Sequence, residues 1–256
     1  MENLAKRMDL DDRPDTVGAD ASDGDTMLHL VSHEIRESVR ALVELPLIIA
    51  DDLARLGQRP MGPVAQHLQL MTDHGARLDR LMNDVIIHSR IGRMQTLRRM
   101  NLKTAIDDVL ADGVLPRGFR LRHDLRQSWI DIGERDLMVL LAALLRNAAQ
   151  HHDKTSGNVF IRCHRDADMA VLQVLDDGPG IPEEFRGKVL DPLTTLGPRQ
   201  PGRSNGMGLA HAAKIARRYG GSIRLDDGLK GRGTCVELRL PLAPAAGQRM
   251  RTLPNG

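Results

Sequence analysis

Leu28, Ile35, Leu42, Ile49 and Leu56 stand seven residues apart, and Val31 and Leu45 occupy the intervening positions of an a/d pattern. No other feature restricts the fold so sharply, because an apolar period of seven is satisfied by an α-helix packed along a seam. The breaker run GQRPMGP at 57–63 ends the pattern. A second helical run follows, with Val64, Leu68, Met71, Leu78, Leu81 and Val85 on one broad face. Together the runs predict an antiparallel helical hairpin. Two helices enclose their own apolar stripe poorly, so the hairpin is expected to pair with a second copy as a dimeric four-helix bundle.

With Leu28 at position a, His33 falls at f, farthest from the seam, where it faces solvent or a docking partner and, judged on this helix alone, reads first as an exposed histidine with no role. Glu34 is its neighbour. A carboxylate there can hold one ring nitrogen protonated and leave the other as a nucleophile or base. An isolated His-Glu pair supplies at most two metal ligands, so a metal site is the weaker reading. On the second helix His67, His74 and His88 recur at helical spacing as seam or surface residues.

Composition removes several function classes. The chain of 256 residues has 36 basic and 34 acidic residues and a net charge of +2, which gives no basic footprint for nucleic acid. Aromatic residues make up 2%, so stacking platforms for single strands are lacking as well. Cys163 and Cys235 show neither disulfide nor zinc spacing. The apolar stretches are too short for a membrane span and the N-terminus has no signal-peptide core, so a cytoplasmic location is expected. Residues 1–25 read as a disordered acidic tail, 26–97 as the hairpin, 101–242 as a second domain and 243–256 as a C-terminal tail.

In residues 101–242 the pattern changes to alternating helices and strands. LKTAIDDVLADG reads as a helix closed by Gly113, FRLRHDL as a strand, and ERDLMVLLAALLRNAAQHH as a largely buried helix. GNVFIRCHRDADMAVLQVLDDG reads as a hairpin of two strands, and GSIRLDDGLKGRGTCVELRLP as two more after a helix that ends at glycine. The order predicts an α+β fold, an α/β sandwich with an open mixed sheet covered by helices on one side.

Three constellations carry chemistry. In VLDDGPGIP a strand runs into Asp176, followed by Gly178 and Gly180, and an aspartate at such a bend is either an ordinary Asp-Gly turn or an acceptor for an exocyclic amine. In GRSNGMGLAHAAKIA, Gly202, Gly206 and Gly208 precede a helix, which suits phosphate, although neither the Walker nor the Rossmann spacing is present. Asn147 is a polar residue within an apolar helix, either a satisfied core amide or an oxygen ligand for Mg2+.

Taken in this order, the segment resembles the catalytic ATP-binding domain of sensor histidine kinases, within the superfamily of gyrase, Hsp90 and MutL. The resemblance implies ATP and Mg2+ as cofactors. It implies Asn147 as the Mg2+ ligand, Asp176 as the adenine acceptor with Gly178 and Gly180 as the first glycine box, Gly206 and Gly208 as the second box beside the triphosphate, and Thr234 near the nucleotide. Upstream, SHEIR resembles the family's phosphoacceptor motif, which implies His33 as phosphoacceptor and Glu34 as its acid/base partner. A homodimer, a response regulator receiver domain as partner and a separate sensor protein follow as expectations.

Some positions depart from the family pattern. Glu37 and Ser38 stand where Thr or Asn and then Pro are usual, Ala143 where relatives carry a polar or acidic residue, and VLDPLTTLG replaces a Phe-containing motif in the lid at about 184–203. A scaffold of the same fold without autokinase activity is the alternative reading. An ATPase ranks below it, because water activation needs a glutamate where this chain has Ala143.

Overall fold

A computed structural model describes residues 22–93, 95–197 and 204–242; the side chains of residues 22–34, 36 and 230 lie outside that description. The chain divides into two units, one containing residues up to Arg90 with Gly197–Met207, the other Ile91–Leu196 with Gly208 onward.

The first unit is the hairpin of α1 (Ser22–Arg55) and α2 (Gly62–Arg90). Helix α1 begins at Ser22, inside the stretch read from sequence as tail. His33 and Glu34 are helical in backbone, and their side chains lie outside the described residues. The helices meet through the e and b rows of the heptad frame rather than through a and d. Val39 is 2% exposed and Pro46 is also buried. A Cβ on Gly75 of α2 would lie 2.9 Å from Val43 Cγ2, so the missing side chain is what lets α1 approach. The seven-residue apolar rows face outward: Ile35, Leu42, Ile49 and Leu56 on α1 and Val64, Met71, Leu78 and Val85 on α2 are all exposed.

The second unit is built on a sheet of order β2-β4-β5-β7-β6, with β2 (Phe119–Leu125), β4 (Gly157–Asp166), β5 (Met169–Asp176), β6 (Ser222–Asp227) and β7 (Thr234–Pro241). Strands β2 and β4 run parallel and the other pairs antiparallel, as a mixed sheet requires. Helices α3 (Leu102–Ala111), α4 (Glu134–Gln150) and α6 (Gly208–Arg218) bury one apolar face each, through Ile106 and Val109, through Leu137, Leu140, Leu141, Leu144 and Leu145, and through Ala212 and Ile215. They meet the inward row of the sheet, Val159, Ile161, Leu172, Val174, Val236 and Leu238, and with it form the core. On the opposite face Arg162, Gln173, Arg224 and Glu237 stay at least partly exposed. Asn101 starts α3 by accepting the Thr104 N–H at 3.2 Å, a side-chain N-cap.

One small sheet was not expected from the sequence. β1 (Arg98–Asn101) pairs antiparallel with β3 (Trp129–Ile132) in a segment that reads as a link. The link is anchored further by Asp136, which is 1% exposed in the first turn of α4. Its carboxylate accepts from Gly92 N–H at 2.9 Å, Gln95 Nε2 at 2.7 Å and Tyr219 O–H at 2.8 Å. Arg218 Nε in turn donates to Gly92 O at 3.1 Å. Burial, then the adjacent Asp136 charge and hydrogen bond, push the Tyr219 hydroxyl well above its ordinary range, so it remains a donor.

Replacing Asp136 leaves three donors without their acceptor. Asp136→Ala should therefore lower the urea-unfolding free energy of this unit by about 3 kcal/mol, while a change under about 0.5 kcal/mol would show that the anchor does not stabilise the fold.

Candidate nucleotide site

Asp176 is the last residue of β5, placed there by an apolar run that keeps the strand paired on both sides up to Leu175. It is 8% exposed. Its Oδ1 accepts the N–H of Gly178 at 2.9 Å and the N–H of Thr234, the first residue of β7, at 3.1 Å. No described residue bonds its Oδ2, so one oxygen is tied and the other carries no bond among the described residues. Burial raises the carboxyl above the usual range, opposed by the same two amides.

Glycine is required around this residue for space. A Cβ on Gly233 or Gly228 would collide with the Asp176 carbonyl oxygen, and Gly233 also has φ +81°. Gly180, at φ +83°, would bring a Cβ to 2.9 Å from the Gly233 carbonyl oxygen. The two turns thus close on each other, which carries Thr234 to Asp176. The sequence reading named Gly178, Gly180 and Thr234 but missed Gly228 and Gly233, although both interrupt the last two strands as a GLKGRG turn.

Asn147 lies in the last turns of α4 and is half-buried. Its side-chain amide has no partner among the described residues, and an amide oxygen of this kind suits a hard cation that keeps several waters. Ala143 sits one turn earlier on the same helical face. A Cβ on Gly208, the first residue of α6, would be 3.6 Å from Ala143 O and 3.8 Å from its Cβ, so the small pair brings the start of α6 against α4 one turn before Asn147. Gly206 is at φ +74° in the segment 197–207 of the other unit, where its N–H donates to Ser204 Oγ at 3.2 Å. Of the lid, α5 (Glu183–Arg186) is tied down by Arg186, which donates to Ile181 O at 3.1 Å and pairs with Asp227. Residues 198–203 lie outside the described residues.

The bonds that hold Asp177, the residue after Asp176, were not legible in the sequence. Asp177 accepts from Asn158 N–H at 2.7 Å, Asn158 Nδ2 at 2.7 Å and His152 Nε2 at 3.1 Å. Burial disfavours its charge, but these bonds and the nearby His152 outweigh burial and pull the carboxyl down to about 2. A carboxyl depressed in the fold contributes stability that is present above its unfolded value near 4 and is lost as pH falls through 2. Asp177→Asn should therefore cost stability in full above about pH 5 and progressively less toward pH 2. Urea titrations showing the same cost throughout that range would contradict this.

Residues 132–244 match the sequence model of the histidine kinase-, DNA gyrase B- and HSP90-like ATPases. Among curated proteins, the C4-dicarboxylate transport sensor protein DctB of Rhizobium meliloti (strain 1021) is 30% identical over 88% of this chain, which spans 32% of that protein. Full-length ShkA, solved in complex with AMPPNP, superposes with a TM-score of 0.63 at 19% identity, over 87% of this chain and 47% of ShkA. The histidine kinase ThkA, solved in complex with the response regulator protein TrrA, gives 0.56 at 19% identity, over 87% of this chain and 64% of that one. The likeness in fold therefore extends across both units, and the chain covers about a third of the length of its sequence relative. Residues 132–244 thus form a histidine kinase-, DNA gyrase B- and HSP90-like ATPase domain, in a chain similar in sequence to a sensor protein and in fold to histidine kinases.

Proposed function

We propose that this chain is an ATP-dependent protein-histidine kinase that phosphorylates His33 and passes the phosphoryl group to an aspartate of a response regulator receiver domain in the cytoplasm. The observation that carries the reading is the half-satisfied Asp176, whose Oδ2 is left beside a glycine-walled turn. A buried carboxylate with one free oxygen is suited to the exocyclic amine of adenine. ShkA in complex with AMPPNP and ThkA in complex with a response regulator protein support the same ligand and partner.

When bound, Mg2+ neutralises charge on the ATP phosphates, and ATP is the phosphoryl donor. Asp176 Oδ2 orients the base, and the Asn147 carboxamide oxygen is the protein's ligand for the ion. Glu34 takes the proton from one His33 nitrogen, and the lone pair of the other forms the N–P bond as the bond to the ADP oxygen breaks. The outward rows led by Ile35 and Leu42 on α1 and Met71 and Leu78 on α2 are the surface on which a second copy would complete a four-helix bundle.

Labelled ATP tests the chemistry directly. Acid-labile, base-stable label on the protein supports the kinase, free phosphate alone an ATPase, and neither a scaffold. His33→Gln should abolish the label while ATP affinity stays within about twofold, and retained label would overturn His33 as the acceptor. Asp176→Asn should weaken ATP by about 10- to 100-fold, since it replaces a charge-assisted bond; unchanged calorimetric affinity would move the base elsewhere. Glu37 is exposed one turn after the histidine and puts a carboxylate where an attacking water must approach a phosphoaspartate, at a cost of about 1 kcal/mol or more. Glu37→Thr should raise phosphatase activity toward the regulator, and a slower rate would contradict this account of Glu37.

A further inference from the structure

We propose that His152 is a positioning residue of the nucleotide site, acting through Asp177 to hold the Asp176 turn in register with the helix that carries Asn147. The proposal rests on the nucleotide-binding reading above and assigns a role to a residue outside the motifs that suggested it.

The imidazole is placed in the interior. Its side chain is 1% exposed, although it stands just beyond the C-terminus of α4. The ring meets Phe119 edge-on, with centroids 5.4 Å apart and planes at 86°. It also fills the space that side chains on Gly157 and Gly178 would need: a Cβ on Gly157 would lie 2.7 Å from His152 Nε2, and one on Gly178 3.4 Å from its Cδ2 and 3.0 Å from Asp176 Oδ1. Gly178 is thus sandwiched between the ring and the carboxylate assigned to adenine.

The hydrogen bonds fix which nitrogen carries the proton. Lys154 N–H donates to Nδ1 at 3.0 Å, so Nδ1 is an acceptor. The proton of the neutral ring is therefore on Nε2, and it is donated to Asp177 Oδ1 at 3.1 Å. Asp177 directly follows Asp176 and is held from its other side by both nitrogens of Asn158 at the start of β4. Asp153, 3.4 Å from Nδ1, is occupied by Arg232 at 2.5 Å, which fastens the turn before Thr234 to the same corner.

The consequence is geometric. Asn147 lies five residues before His152 along the chain, at the end of a regular helix. The bond from His152 to Asp177 fastens that helix end to the residue beside Asp176, and so fixes the span between the proposed ion ligand and the proposed base acceptor. A histidine that only filled volume would need the ring but not the Nε2 donor.

Two amide substitutions separate these roles, because glutamine places its NH2 near the position of Nε2 whereas asparagine reaches only the position of Nδ1. Affinity of the full chain for ATP with Mg2+ would be measured by calorimetry, together with the melting temperature of each variant. His152→Ala should weaken ATP about tenfold or more. His152→Gln should recover most of that loss, and His152→Asn should not, with the two amide variants melting within a few degrees of each other. The assignment is overturned if His152→Ala binds like the unaltered chain, or if glutamine does no better than asparagine. Should His152→Ala fail to fold, the comparison of the two amides decides. Failure of the unaltered chain to bind ATP would instead remove the nucleotide reading itself.

Discussion

The second unit is organised around a carboxylate held by main-chain amides. Asp176 ends a central strand, and the N–H groups of Gly178 and Thr234 converge on one of its oxygens. Those two bonds join the turn after β5 to the start of β7, and the glycines at 180, 228 and 233 exist in that arrangement because any side chain would push the turns apart. Burying a carboxylate is costly unless it is bonded. Here the bonding is half complete among the described residues, and a ligand bound at the open half would have to bring a hydrogen-bond donor. The core beneath keeps this geometry fixed, because α4 supplies its thickest apolar face and carries Asn147 near its far end, with His152 just beyond it.

The hairpin follows a different logic. Its internal contact uses Val39, Pro46 and the gap at Gly75, which leaves the strongest periodic feature of the sequence, the heptad rows of both helices, facing outward. An apolar stripe of that length is stable in water when covered. The chemistry proposed for His33 thus belongs to a unit that leaves its apolar rows exposed, whereas the chemistry proposed for Asp176 belongs to a unit with a closed core of its own.

What could be read from sequence followed the strength of the local signal. The strands of β4, β5 and β7 and the buried helix α4 were legible, since long apolar runs bounded by turns leave few options. β1 and β3 were not, because each has four residues and RRMN has no alternation; long-range pairing creates them. The anchoring role of Asp136 was hidden for a similar reason: its partners Gly92, Gln95 and Tyr219 are 41 to 83 residues away in the chain. Around the candidate site, the tight glycine turns announced themselves, while His152 and Asn158 carried no motif. Only the fold shows that they meet at Asp177. The heptad reading found the helices and their apolar rows, but the side of α1 that faces α2 was set by Gly75, a single small residue with no periodic signature.

The proposed function stands on the open oxygen of Asp176 accepting a hydrogen bond from the exocyclic amine of the base. Adenine presents an amine at the relevant ring position and guanine a carbonyl, so the two purine nucleotides differ where the claim needs them to differ. Competitive binding of ATP and GTP, each with Mg2+, to the full chain measures this directly. The account predicts that ATP binds at least about tenfold more tightly than GTP. Equal affinity for the two would contradict it.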